Sequence, residues 1–172
     1  MRVTIETERL ILRNVSPDDY QACFKWCGDP DVNRYLIYKL YEKAEDVKTW
    51  LESRNEDDPD NYDLGIVYRE TGELIGMGGL VHKGDGLWVL GYNLRKDMWG
   101  KGIVLEAMNG IISHLRQNGK LRVVEGQFCK ENVRSRRVME KLGMSYYEDS
   151  SYVKADGSRV FEAETYRITY PD

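Results

Sequence analysis

Gly100-Lys101-Gly102 stands directly ahead of an apolar pattern with helical spacing: Val104, Met108, Ile111, Ile112 and Leu115. The first N–H groups of a helix have no partner within it, and the helix dipole adds partial positive charge there. An anion lying across those groups is held without any side chain. Glycines on both sides of Lys101 let the main chain curl and come close, where a Cβ would obstruct. The chemistry on offer is the binding of a pyrophosphate. The plainer reading is a glycine turn joining a strand to a helix.

Two neighbours narrow the choice of anion. Gly91 interrupts the apolar stretch LWVLGYNLR (87–95), and glycine inside a strand often marks a bulge or a close backbone approach. A bulge here would part the strand from its neighbour and leave main-chain groups that an extended, amide-bearing chain could pair with. Asn132, with Ser135 three residues on, opens a later helix, as an N-cap or as an amide reaching the same ligand. A pyrophosphate at a helix start and an amide arm in a split sheet together describe coenzyme A. Arg95, Lys96, Lys130, Arg134, Arg136 and Arg137 flank the region. A minority of them, Arg137 included, are expected to meet the nucleotide's remaining phosphate as charge-assisted partners.

The elements that must position these residues follow from periodicity. A strand at 10–15 breaks at Ser16-Pro17, a cap and first-turn pair for a helix ending near Gly28. A second helix is expected over 45–54, followed by the acidic loop NEDDPDN. Strands are expected over 62–69, 73–82 and 87–95, with Thr71-Gly72 and residues 83–86 as hairpin-type turns. The helix after Gly100 stops at Asn118-Gly119. A strand at 121–128, a helix at 132–142 and two strands over 144–153 and 159–168 complete the chain. The order is α+β on an antiparallel meander, within one domain spanning 1–172, and not a repeated βαβ pattern.

Composition limits the function classes. No apolar run approaches the ~20 residues of a membrane span, and the opening MRVTIETERL lacks a signal-peptide core. A net charge of −4 speaks against non-specific nucleic-acid binding, which requires a basic face. Cys23, Cys27 and Cys129 leave an odd cysteine, and with only His82 and His114 beside them no metal spacing emerges. Free thiols and a cytoplasmic setting are expected.

LGYNLRKDMWGKGIVLEA resembles the acetyl-coenzyme A-binding segment of the GNAT superfamily of N-acetyltransferases. CKENVRSRRVMEKLGM is similar to the strand–helix motif that follows it, N-x-x-S and then E-K-L-G. The opening ETERLILRNVSPDDY, with GDPDVNRYL, resembles the branch that includes ribosomal-protein N-terminal (Rim-type) acetyltransferases. The resemblance covers about Glu6 to Ile168. It implies a mixed, mostly antiparallel sheet, split between the fourth and fifth of the strands counted above and flanked by helices.

It also implies acetyl-coenzyme A as co-substrate, no metal, an amine-bearing acceptor (a protein N-terminus or a small molecule), and a monomer or homodimer. The main chain of Tyr92, Asn93 and Leu94 would pair with the pantetheine arm. Trp99, Gly100, Lys101, Gly102 and Ile103 would line the pyrophosphate through their amides. Asn132 would approach the pantetheine, and Ser135 the sulfur. Asp97 stands where relatives often carry Gln or Arg. Val89 and Met139 stand where relatives often carry a catalytic Glu and Tyr, so Ser135 becomes the leading proton donor.

His82, Tyr146 and Tyr147 are further candidates for acid–base work. Trp26, Tyr35, Tyr38, Tyr41 and Trp50 are candidates for either the acceptor pocket or the core. A non-catalytic acyl-coenzyme A sensing module is the competing reading. A nicotinamide-dependent dehydrogenase fails because Leu105 stands where a third glycine belongs.

Overall fold

The structure is a computed structural model that describes residues 2–171. The strands are β1 (Thr4–Glu6), β2 (Leu10–Arg13), β3 (Leu64–Tyr68), β4 (Glu73–His82), β5 (Leu87–Leu94), β6 (Val123–Cys129), β7 (Ser145–Val153) and β8 (Val160–Thr169). They form one sheet in the order β1-β2-β3-β4-β5-β6-β8-β7. Every neighbouring pair is antiparallel except β5–β6. The helices are α1 (Tyr20–Cys27), α2 (Pro30–Asn33), α3 (Ala44–Ser53), α4 (Ile103–Gln117) and α5 (Val133–Lys141).

Two cores cover the two faces of the sheet. The larger core packs α4 and α5 on one face. Ile103, Ala107, Met108, Ile111, Ile112 and Leu115 are all buried on one stripe of α4, as the 3–4 spacing requires. On the opposite face, Cys23 and Trp26 of α1 and Val47 and Leu51 of α3 pack against Val67, Leu74 and Met77.

Some details depart from the periodicity reading. Thr4–Glu6 is a strand paired to β2, although its three residues are too few to show alternation. The helix expected after Ser16 starts with a 3-10 turn at Pro17–Asp19, where Ser16 and Asp19 form a capping box. Pro30–Asn33 makes a further short helix capped by the Asp29 carboxylate.

Gly91 does not create a bulge. The β4–β5 ladder runs in unbroken register from Gly76↔Leu94 to His82↔Trp88. The split arises on the other side of β5, because parallel pairing with β6 covers only Leu87–Val89 against Val123–Glu125. Beyond that point β6 stays with β8 as far as Cys129↔Ala163, and the two strands diverge. The gap lies between the fourth and fifth strands of the sequence reading, which are β5 and β6 once Thr4–Glu6 is counted.

Candidate active site

Gly100 and Gly102 have φ of 77° and 74°, left-handed values that cost a residue with a Cβ free energy. Among the described residues, the N–H groups of 100–105 meet no backbone acceptor. This leaves a concave row of donors at the start of α4. The helix start is held from below: Glu106 accepts from Thr7 Oγ1 at 2.5 Å, Arg9 N at 2.9 Å and Arg9 Nε at 2.8 Å. Arg9 also donates to the Lys101 carbonyl at 2.9 Å, with Lys101 exposed at the loop tip. The Trp99 N–H is taken by Lys96 O at 3.1 Å, so Trp99 contributes its ring and not its amide.

This row borders a groove of about 600 Å³. Leu94, Gly100, Gly102, Ile103, Asn132 and Arg137 are among the residues lining it. Arg134 lies over the Trp99 ring at 4.0 Å. Of the six flanking cations, Arg95 is tied to Glu73 and Asp97, Lys96 to Asp31, Lys130 to Asp149 and Arg136 to Glu164. Arg134 and Arg137 have no carboxylate partner among the described residues and stand available to a phosphate.

The gap supplies main-chain groups as well. Arg95 N donates to Ile75 O at 2.8 Å, and the alternation of an antiparallel ladder then turns the main chain of Leu90, Tyr92 and Leu94 toward the split. Leu94 O is taken by the Trp99 indole N–H at 2.9 Å. By the same alternation Asn93 turns its main chain toward β4, and its side-chain Oδ1 accepts from Met77 N at 3.2 Å.

A second pocket, of about 560 Å³, adjoins that groove along β4 and β5. Its floor is the set Met77, Gly79 and Val81 opposite Asn93, Gly91 and Val89. Trp26, Tyr35, Tyr38, Tyr41 and Trp50, the candidates for an acceptor lining, all face it. The α2–α3 connection that carries Tyr35 and Tyr38 is pinned by the β7–β8 hairpin. The Tyr152 hydroxyl donates to Tyr35 O at 2.6 Å, and Lys154 Nζ donates to Asn33 Oδ1 at 2.6 Å and Leu36 O at 2.8 Å. Ala155 N donates to Ile37 O at 2.8 Å.

The two pockets meet at Tyr35, Leu36, Tyr92, Asn93, Asn132 and Ser135. Asn132 caps α5: its Oδ1 accepts from Ser135 N at 3.4 Å and its Nδ2 donates to Ser135 Oγ at 3.1 Å. The Tyr92 hydroxyl is buried, with the Ser135 side chain as the polar group beside it. Burial pushes its pKa up to about 12, against a small lowering by Ser135 nearby. Met139 is buried, packing where a Cβ on Gly126 would stand, and Val89 is part of the second pocket's floor.

His82, Tyr146 and Tyr147 are not at either pocket. His82 pairs with Asp60 at 3.0 Å and stacks on Trp88, Tyr147 lies under Arg167 at 3.9 Å, and Tyr146 is exposed. Sequence reading missed the Tyr92 side chain, Tyr152 and Asp63. For Tyr92 a signal was present: Leu90, Tyr92 and Leu94 alternate with period two, so its ring shares the face that packs α4 and α5. Asp63 carried none, lying at the start of an expected strand beside an acidic loop.

Residues 9–145 match the family model described as the acetyltransferase (GNAT) domain. The chain is 26% identical over 161 residues to the uncharacterized N-acetyltransferase p20 of Bacillus licheniformis, covering 90% of this chain and 89% of that one. Its fold matches the microcin C7 self-immunity acetyltransferase MccE, solved in complex with acetyl-CoA and AMP. The TM-score there is 0.84 at 14% identity, over 95% of this chain and 94% of that one. It also matches RimL, the ribosomal L7/L12 alpha-N-protein acetyltransferase, with TM-score 0.83 at 14% identity over 99% and 96%. With the family pattern spanning most of its length and a split sheet to match, this chain belongs to the GNAT acetyltransferase family.

Proposed function

We propose that the protein transfers the acetyl group of acetyl-coenzyme A directly to a primary amine, a protein N-terminus or a small molecule, with both substrates bound at once. The carrying observation is that two adjoining pockets along β5 share Tyr92, Asn132 and Ser135. The donors of residues 100–105, with Arg134 and Arg137, suit the phosphates, and the parted strands suit the pantetheine. Acetyl-coenzyme A supplies an activated thioester. The amine nitrogen bonds to the acetyl carbon as the C–S bond breaks, one proton leaves with solvent and one ends on the sulfur.

The chain's own groups serve each need. An alkylammonium with pKa near 10 has about one part in a thousand neutral at pH 7, so a desolvating aromatic pocket favours the reactive form. A main-chain N–H at Tyr92 or Leu94 is turned to polarise the carbonyl, a role whose loss typically costs about 3 kcal/mol. Tyr92 and Ser135 stand where the leaving thiolate needs a proton, Ser135 directly or through water. Free thiols at Cys23, Cys27 and Cys129 suit the cytoplasmic setting expected from the sequence.

Calorimetry with acetyl-coenzyme A, and thiol release over a panel of amines and peptides, test this reading. Gly102→Val and Asn132→Ala are expected to weaken acetyl-coenzyme A binding about ten-fold or more, by closing the donor row and removing an amide. Parent-like binding by both variants would overturn the site assignment. Val89 and Met139 at the usual acid–base positions favour a second reading, an acyl-coenzyme A sensor. Binding without thiol release from any amine is the result that selects it.

A further inference from the structure

Asp63 is the one carboxylate among the described residues lining the second pocket. Its place is set by Gly79: a Cβ there would fall 2.1 Å from Tyr62 O and 2.4 Å from the Asp63 Cα, so only glycine lets the Tyr62–Asp63 chain lie on the sheet. Gly79 pairs with Gly91 on β5, where an added Cβ would meet nothing within 4 Å. The carboxylate therefore stands over β4, with an open floor between it and the split beyond β5. Two strand spacings put it about 10 Å from the gap.

Arg54 anchors the carboxylate. Its Nη1 donates to Asp63 Oδ2 at 2.9 Å, its Nη2 to Asp63 O at 3.0 Å, and its Nε to Glu56 at 2.6 Å. The guanidinium also lies over the Trp50 ring at 5.3 Å. Asp63 Oδ1 accepts no hydrogen bond among the described residues. Tyr38 stands within reach of this charge, its phenol pKa raised by burial and then by Asp63. Lys39, the lysine lining the pocket, sits where its charge acts on Asp156 of the hairpin. The pocket thus has a carboxylate at the far end, ring faces along its walls and the reacting junction at its near end. Ring faces favour cations and alkyl chains. The facing main chains of Gly79 and Gly91 are spent on each other in the ladder, which leaves a peptide backbone little to pair with on this floor.

Resting on the acetyl-transfer reading, we propose that the acceptor is a small aliphatic diamine: one amine reacts beside Tyr92 and Ser135 while Asp63 holds the second, still charged ammonium about 7 Å away, a span of roughly four to six carbons. The reacting ammonium loses one proton to solvent, its nitrogen bonds to the acetyl carbon, the C–S bond breaks and the second nitrogen proton ends on the thiol. The distal ammonium keeps its charge throughout.

Thiol release with 1,5-diaminopentane, pentylamine and an alanine-headed tetrapeptide tests the proposal. The parent should prefer the diamine over pentylamine by about ten- to hundred-fold in kcat/KM, the worth of a charge-assisted hydrogen bond. Asp63→Asn should erase that preference through KM for the diamine, bringing the diamine-to-pentylamine ratio of kcat/KM to about one. The parent's own diamine-to-pentylamine ratio needs no variant, so misfolding of Asp63→Asn leaves the test standing. Equal use of the two amines, equal loss of both in the variant, or preference for the peptide would overturn the diamine assignment. Acetyl-coenzyme A binding with no release from any probe would also overturn it, whereas failure to bind acetyl-coenzyme A at all would overturn the acetyl-transfer reading beneath it.

Discussion

Tyr92 combines three properties in one side chain: a buried hydroxyl, Ser135 beside it and a place where both pockets meet. Met139 occupies the helix position that carries a tyrosine in many relatives, and on the proposed reading the Tyr92 phenol, from β5, is the hydroxyl that faces the leaving sulfur. With its pKa pushed up to about 12, this phenol stays protonated through neutral pH and is a hydrogen-bond donor to the leaving sulfur, whose own affinity for a proton resembles cysteine at about 8.5, so the proton itself comes from the amine or solvent. Tyr92→Phe should lower kcat about 100-fold, the loss typical of one preorganised hydrogen-bond donor, while the acetyl-coenzyme A dissociation constant changes less than about two-fold. Thiol release and calorimetry measure the two separately. An unchanged kcat would remove Tyr92 from the chemistry and leave Ser135 as the donor.

At the scale of elements, Gly79 and Gly91 face each other across β4 and β5 yet perform opposite duties. A side chain at Gly79 collides with the Tyr62 carbonyl, a backbone atom with no rotamer to relieve it. Gly79→Ala should therefore destabilise the fold by about 3 kcal/mol, the upper end for overpacking, seen as a lower urea midpoint. Gly91→Ala meets nothing within 4 Å and should leave the midpoint within about 0.5 kcal/mol of the parent. Its methyl enters the second pocket, so its effect should appear in the acceptor KM. The glycine pair keeps the floor flat and brings Asp63 onto it.

Across the whole molecule, two carboxylates bind the N-terminal strands to the helices. Asp19 is held below its ordinary pKa, against burial, by Arg13 and the Ser16 N–H. Glu106 is held below its own, also against burial, by Thr7, the Arg9 N–H and the Arg9 side chain. A depressed carboxylate stabilises the fold at pH values above its unfolded value and loses that contribution as pH falls through the folded value. The contribution of Asp19 and Glu106 should be full from pH 7 to 5 and fall below about pH 4, where both groups take up protons first in the unfolded chain. Asp63 is shifted upward by burial and so contributes the opposite slope. Urea midpoints measured against pH on the parent and on Asp19→Asn would show this, the variant having the shallower acid limb.

The sequence by itself determined the elements and the donor row. Glycine spacing, helical periodicity and turn residues are local properties, and a helix start exposes its N–H groups whatever surrounds it. For the same reason Ser16-Pro17, Gly100, Gly102 and Asn132 could be read before any contact was known. The short strand Thr4–Glu6 was not legible, because three residues carry no period.

Only the tertiary structure decided how the sheet parts: β5 keeps unbroken register with β4, and its pairing with β6 ends at Val89. It also decided that Tyr92 lines both pockets, that His82, Tyr146 and Tyr147 line neither, and that Asp63 joins the aromatic wall. The pockets bring together residues as far apart in the chain as Asp63 and Tyr92, 29 positions, and Tyr35 and Tyr152, more than 100. Such encounters are created by strand order and packing, which no single segment contains.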